Sequence, residues 1–244
     1  MLASSKDQNF ITIPYVSKID FREDADYTYI CMNETIQGTH YAEFPQVKNP
    51  LVADVSSCFL SEPLDVSKFG IVYGGVQKNI GPAGLAIVII RKDLIRPQDE
   101  LAFKTPSMLC YKTQADADSV YNTPAVWTIY ICGLVFKWLK NIGGLDAMYQ
   151  RNLDKAQLLY DYLDSSEMFS NPVEKKYRSL MNVPFVTGNE ELDKKFIAQS
   201  TAEGLLCLKG HRSVGGMRAR IYNAMPREGV EKLVNFMKKF ETEN

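Results

Sequence analysis

The stretch Phe69-Gly-Ile-Val-Tyr-Gly-Gly-Val-Gln-Lys-Asn-Ile-Gly-Pro-Ala-Gly-Leu-Ala-Ile-Val-Ile-Ile90 decides the fold. Two nearly continuous apolar runs, Phe69 to Tyr73 and Leu85 to Ile90, flank a glycine-rich turn. Runs of this kind belong to sheets whose strands are buried on both faces. The turn from Lys78 to Gly84 is too short for a crossover helix, so the second strand is expected to return antiparallel. The turn is not a Walker phosphate loop, because Asn follows Lys78 and the leading glycine spacing is wrong. Nor is it a dinucleotide fingerprint, because no helical pattern follows Gly84. What remains is a lysine at the end of a buried strand, where ligands bind in α/β sheets. An unprotonated lysine there can condense with a carbonyl or aldehyde. Read alone, a lysine beside a loop is more often a solvated charge.

Working outward, residues 27–35 carry β-branched and aromatic residues before a polar end, and Leu51-Val-Ala-Asp-Val55 is another short apolar run. Both read as strands, giving four before residue 91. An irregular stretch over 96–121 leads to Asn122-Thr123-Pro124. That tripeptide predicts a helix start, with Asn or Thr capping and Pro at the first position. The helix it opens is apolar nearly all round, which predicts burial in a core or a subunit interface. It stops at Gly143-Gly144. A second helix carries Leu145, Tyr149, Leu153, Ala156, Leu159 and Leu163 at helical spacing. The glycine pair marks a domain boundary, 1–143 against 144–244. Beyond it, strands are predicted at Ser179–Val186, Leu205–Leu208 and Met217–Tyr222, and helices at Glu190–Glu203 and at the C-terminus. The last helix places Val230, Leu233, Val234, Met237 and Phe240 on one face, a packing stripe.

Composition narrows the function. The 244 residues hold 28 Lys+Arg against 29 Asp+Glu, a net charge of −1, which argues against a nucleic-acid surface. A hydrophobic content of 45% argues against disorder. The longest apolar run, Ala125 to Phe136, is broken by Thr128 and Gly133 and ends at Lys137, short of a membrane span. Ser-Ser-Lys-Asp follows Met-Leu-Ala with no apolar signal region. A soluble, cytoplasmic protein is expected. Five cysteines without C-x-x-C spacing and only two histidines, His40 and His211, leave no ligand set for a structural or catalytic metal. The enzyme chemistry left open depends on an organic cofactor or on scattered polar residues.

Asp54 sharpens that choice. It interrupts the run Leu-Val-Ala-Asp-Val, one strand before Lys78, and a buried carboxylate is costly unless paired or hydrogen-bonded. An Asp facing a pyridinium nitrogen is the partner that keeps pyridoxal phosphate protonated as an electron sink. An Asp bonded to neighbouring backbone explains the same residue equally well.

Six segments carry a closer likeness: Asn33-Glu-Thr-Ile-Gln-Gly38, Ala53-Asp-Val-Ser-Ser57, Gly75-Val-Gln-Lys-Asn-Ile-Gly-Pro-Ala-Gly84, Tyr121-Asn-Thr-Pro124, Lys209-Gly-His-Arg-Ser-Val-Gly-Gly-Met-Arg218 and Ile221-Tyr-Asn-Ala224. Together they resemble the phosphoserine aminotransferase family, collinearly from about residue 27 to the C-terminus. The resemblance implies an α/β fold: a partial, mostly parallel sheet from the large domain of a fold-type-I pyridoxal-phosphate transferase, plus a smaller C-terminal α/β domain. It implies pyridoxal 5'-phosphate as cofactor and a homodimer with active sites shared between subunits. The implied reaction takes glutamate and 3-phosphohydroxypyruvate to 2-oxoglutarate and O-phospho-L-serine.

Residue by residue, the resemblance makes Lys78 the lysine that condenses with the cofactor and then shuttles the substrate proton. Asp54 matches the partner of the ring nitrogen, Thr35 a contact beside the ring, and Gln77 a contact to the cofactor phosphate. Asn122 and Thr123 match the pair that reaches the partner subunit's cofactor phosphate, and a helix start is a natural anion site. Arg218 matches the arginine for the substrate α-carboxylate. His211 and Arg212 match residues holding the substrate phosphate from the neighbouring subunit. Arg220 shares a strand face with Arg218 by alternation and takes no role.

Chains of the family begin upstream of the position matching Met1. The resemblance therefore implies an N-terminally truncated chain, without a glycine-rich phosphate cradle, a ring-stacking aromatic residue and one further substrate arginine. Two functions follow: the aminotransferase itself, or a catalytically incompetent form that acts only as a subunit or interaction partner.

Overall fold

A computed structural model describes residues 1–101 and 105–244. Strands β1 (Thr28–Cys31), β2 (Leu51–Asp54), β3 (Ile71–Gly75) and β4 (Ala86–Ile90) form one sheet in that order. The first three are parallel, in register Cys31↔Asp54↔Tyr73. β4 returns antiparallel from Gly75↔Ala86 to Ile71↔Ile90, as the short turn requires.

One face of this sheet is closed. Ile30, Leu51, Ala53 and Val72 are buried there with Phe59, Phe69 and Ile80, against Cys132 and Met181. Expected burial on both faces is not met. Tyr29, Val52, Ile71 and Ile90 share a row by register, as do Cys31, Asp54, Tyr73 and Val88. On that face Tyr29 is 51% exposed and Val88 39%. An apolar run records what a strand can bury, not what covers it.

Helix α1 (Tyr111–Asp116) is short, and α2 (Val126–Asn141) follows. The predicted cap at Asn122-Thr123-Pro124 is not formed: the helix begins beyond Pro124, and its N-cap, Ala125, has no side-chain acceptor. A stripe of Thr128, Cys132 and Leu139 is buried, while Val126, Trp127, Tyr130, Leu134 and Trp138 are exposed. A side chain on Gly81 would start 2.7 Å from Cys132 Sγ, so only glycine lets the lysine-bearing turn lie on α2. Gly143 and Gly144 both have positive φ and end the helix there.

A second core is built from α3 (Gly144–Ser165), β5 (Asn182–Phe185), α4 (Glu190–Ala202), β6 (Met217–Arg220) and α5 (Arg227–Glu243). β5 and β6 pair antiparallel. Phe169, Phe185, Phe196 and Phe240 meet edge-to-face, with Phe169 to Phe196 centroids 5.2 Å apart. The α5 stripe Val230, Leu233, Val234, Met237 and Phe240 is wholly buried, as its spacing predicts. Asn189 caps α4, accepting from the backbone N–H of Glu191 and Leu192. Leu205–Leu208 is not a strand. Cys207 sits at φ +62°, which breaks an extended run, and the Leu208 carbonyl accepts from the Arg218 N–H of β6. Among the described residues no helix is long and apolar enough to cross a membrane.

Candidate active site

Parallel strands deliver their C-terminal ends to one edge, and here those ends carry Cys31, Asp54 and Gly75. Past β1, the chain turns through Glu34 to Thr39, closed by bonds from Glu34 N to Thr39 O and from Gly38 N to Glu34 O. Gly38 at φ +75° lies against β5, where a Cβ would stand 2.6 Å from the Asn182 carbonyl. This turn holds Thr35 at its tip. Past β3, the amides of Ile80 and Gly81 both donate to the Val76 carbonyl and curl the backbone around Lys78.

Thr35 is where the site converges. Lys78 Nζ donates to Thr35 Oγ1 at 2.7 Å, and Arg218 Nη1 donates to the Thr35 carbonyl at 2.6 Å. Burial lowers the Lys78 proton affinity, opposed by the charges of Asp54, Cys31 and Glu34 and assisted by Arg218. Arg218 is 5% exposed, and burial lowers its pKa too, with Arg220 adding to the effect. Its buried Nε has no partner among the described residues. Asp54 Oδ1 accepts from the Ser56 N–H at 2.8 Å, so the backbone-bonded reading of this residue holds for one oxygen. The carboxylate lies on the open sheet face between Cys31 and Tyr73.

Thr35, Asp54, Lys78 and Arg218 thus lie together. Gln77 is exposed in the same turn, beside Gly75. Asn122 and Thr123 sit in an exposed turn, where Asn122 Nδ2 donates to the Thr123 carbonyl. His211 and Arg212 line a separate cleft of about 650 Å³ with Lys209, Lys194 and the start of α4, which neither Lys78 nor Arg218 lines. There His211 Nδ1 lies 2.6 Å from Ser213 Oγ. Arg220 Nη1 donates to the Cys207 carbonyl, outside the cluster.

Sequence reasoning missed the polar scaffold beneath the cluster. Asn33 Nδ2 donates to Ser57 Oγ and Asn182 Oδ1, while Asn33 Oδ1 accepts from Ser179 Oγ. Asn182 in turn donates to the Tyr222 hydroxyl. The available signal was polar residues at the ends of apolar strands, since buried polar groups need partners. Cys31 was missed as well. Burial pushes its thiol up to about 12, with Glu34 and Asp54 adding to the rise.

Comparison with known proteins accords with this geometry. Residues 4–233 match the aminotransferase class-V family. A phosphoserine aminotransferase of Bacillus cereus is 53% identical over 245 residues, covering 100% of this chain and 67% of that protein. One from Haemophilus influenzae is 56% identical over 233 residues, covering 94% of this chain and 64% of the relative. The structure of phosphoserine aminotransferase from Bacillus circulans subsp. alkalophilus superposes with a TM-score of 0.95 at 43% identity, over 100% of this chain and 67% of that one. A PLP-bound phosphoserine aminotransferase from Trichomonas vaginalis gives 0.89 at 42% identity, over 95% of this chain and 65% of that one. The chain therefore spans about two thirds of the length of these relatives, and it belongs to the aminotransferase class-V family.

Proposed function

We propose that this chain is a phosphoserine aminotransferase that uses pyridoxal 5'-phosphate. It moves an amino group from glutamate to 3-phosphohydroxypyruvate, giving 2-oxoglutarate and O-phospho-L-serine. The observation that carries the reading is the Lys78–Thr35–Arg218 cluster beside Asp54.

The residues suit the cofactor. Lys78 is half-buried with lowered proton affinity, the state in which an amine attacks an aldehyde. Asp54 would pair its carboxylate with the ring nitrogen, Thr35 would contact the ring, and Gln77 would bind the phosphate. Asn122 and Thr123 serve the phosphate of a partner subunit. When bound, pyridoxal phosphate supplies an electron sink for the α-carbon. Lys78 takes the proton from that carbon and returns it as general base and acid. Arg218, fixed through Nη1, supplies the guanidinium charge for the substrate α-carboxylate. His211 and Arg212, in the cleft they share with Lys209, Lys194, Glu190 and Asp193, hold the substrate phosphate for the neighbouring subunit.

This division of labour requires a homodimer, and the exposed apolar face of α2, with Trp127 68% exposed, supports one. The two hydrophobic cores support reading 1–143 and 144–244 as large- and small-domain portions, with Met181 of the second packed into the core of the first. We place the enzyme in the cytoplasm, alongside other free amino-acid chemistry.

Adding pyridoxal phosphate to the purified chain is expected to give the visible band of a lysine-bound cofactor, lost in Lys78→Ala. A band that survives the substitution overturns the lysine assignment. No band at saturating cofactor overturns catalysis by this chain.

A further inference from the structure

Lys78 and Thr35 sit in the turns that follow β3 and β1, whereas Arg218 lies on β6, whose Met217 and Ala219 pack in the C-terminal core. Their common geometry needs a joint between the cores. The dipeptide Tyr222-Asn223, just past β6, touches both sides of the cluster. The Asn223 N–H donates to Asn79 Oδ1 at 3.0 Å, and Asn79 is the residue after Lys78. The Tyr222 hydroxyl accepts from Asn182 Nδ2 at 3.1 Å, and Asn182 accepts from Asn33, two residues before Thr35.

The dipeptide is itself held from outside the cluster. Asn223 Nδ2 donates to the Leu60 carbonyl, and Asn223 Oδ1 accepts from the fully buried Asn152. The Tyr222 carbonyl accepts from Lys155 Nζ at 2.7 Å. Buried polar networks with this many made bonds fix one arrangement of the elements they join.

We infer that Tyr222-Asn223 is a positioning element, which acts through Asn79 and Asn182 to hold Lys78 and Thr35 in register with Arg218. It touches neither cofactor nor substrate. The inference rests on the catalytic reading of Lys78, but its test needs no cofactor and is decided separately.

Competitive acetylation with acetic anhydride, read by mass spectrometry on the Lys78 peptide, follows how amine reactivity rises with pH. The groups acting on Lys78 are Asp54, Cys31, Glu34 and Arg218, all left in place by the variants. Asn79→Ala is expected to loosen the turn, admit water and raise the midpoint by about half a unit or more, towards that of a fully solvated lysine. Tyr222→Phe, which deletes one hydroxyl and decides the matter alone if Asn79→Ala fails to fold, is expected to move it the same way by less. Phe240→Leu, deep in the C-terminal core, is expected to lower the urea midpoint while leaving the Lys78 midpoint unchanged. Wild-type midpoints in both site variants, or an equal shift in Phe240→Leu, would overturn the inference. An absent cofactor band would sink the proposed reaction and leave this result standing.

Discussion

Arg218 is tied to the backbone of Thr35, not to its side chain: Nη1 donates to the main-chain carbonyl at 2.6 Å. The anchor therefore survives any substitution at Thr35 that preserves the turn. Substitution at Arg218 itself is different, because lysine offers a point charge in place of a planar fork. Arg218→Lys is expected to weaken glutamate binding about 10- to 100-fold, for loss of a charge-assisted bidentate contact. Cofactor uptake is expected to change far less. Titrating glutamate against the cofactor band reads the first quantity, and titrating the cofactor reads the second. Equal damage to both contradicts the carboxylate role.

Thr35→Val keeps the shape and removes the hydroxyl that accepts from Lys78 Nζ. The same hydroxyl is the proposed contact beside the cofactor ring, and the loss of one such bond to the bound cofactor corresponds to about 1–2 kcal/mol. Cofactor affinity is expected to fall by roughly 5- to 30-fold. Thr35→Ser is expected to restore most of it, and equilibrium titration of both variants checks the pair.

Lys155 is 2% exposed and donates to the carbonyls of Tyr222 and Met225, and burial brings its pKa down to about 8. Because the folded value is depressed, the unfolded chain holds more protons above it. Stability from this group therefore rises with pH between about 8 and 10.5, by about 1–3 kcal/mol. Subtracting the urea midpoints of Lys155→Met from wild type across that window isolates the slope. A flat difference would mean that Lys155 keeps its charge across the window, and would refute the depressed value.

Asp164 accepts two bonds from Arg178, at 2.7 and 3.0 Å, and a further ion pair from Lys175. The Arg178 bonds are the main cause that lowers its pKa to about 2. This contribution is present above the usual carboxylate value and is lost as pH falls from about 4 to 2. Asp164→Asn is expected to cost about 1–2 kcal/mol at neutral pH and little at pH 2, screening having trimmed the upper figure. Denaturation midpoints at both pH values measure it.

The exposed α2 face gives a test of subunit association. Trp127 and Tyr130 lie on it, their rings 6.3 Å apart. Replacing both with arginine is expected to shift a dimer to monomer at micromolar concentration in sedimentation, without changing the urea midpoint of the monomer. Unchanged sedimentation excludes this face from the interface.

Local pattern made much of the fold legible. The antiparallel return of β4 follows from the length of one turn, and the α5 stripe from its spacing. Asp54 was legible because it breaks an apolar run, and Lys78 because it stands in a glycine-rich turn at the end of a buried strand. The open sheet face was not, since an apolar strand does not say what packs on it. Nor was the loss of the Leu205–Leu208 strand, which depends on one positive φ at Cys207. The Asn33 network escaped for another reason. Its partners stand up to 149 positions apart, and nothing local in Asn33 or Asn182 names the other.

Those separations also set an order of assembly. The bonds that complete the site close loops of 144 to 183 positions, from Asn79 to Asn223 and from Thr35 to Arg218. Contacts of such span form late, because loop closure must precede any gain from them. A ribosome making this chain releases Lys78 long before Asn223 emerges. The reactive amine, with Thr35 and Asp54 already made, therefore waits for Arg218 and for the brace at Asn223.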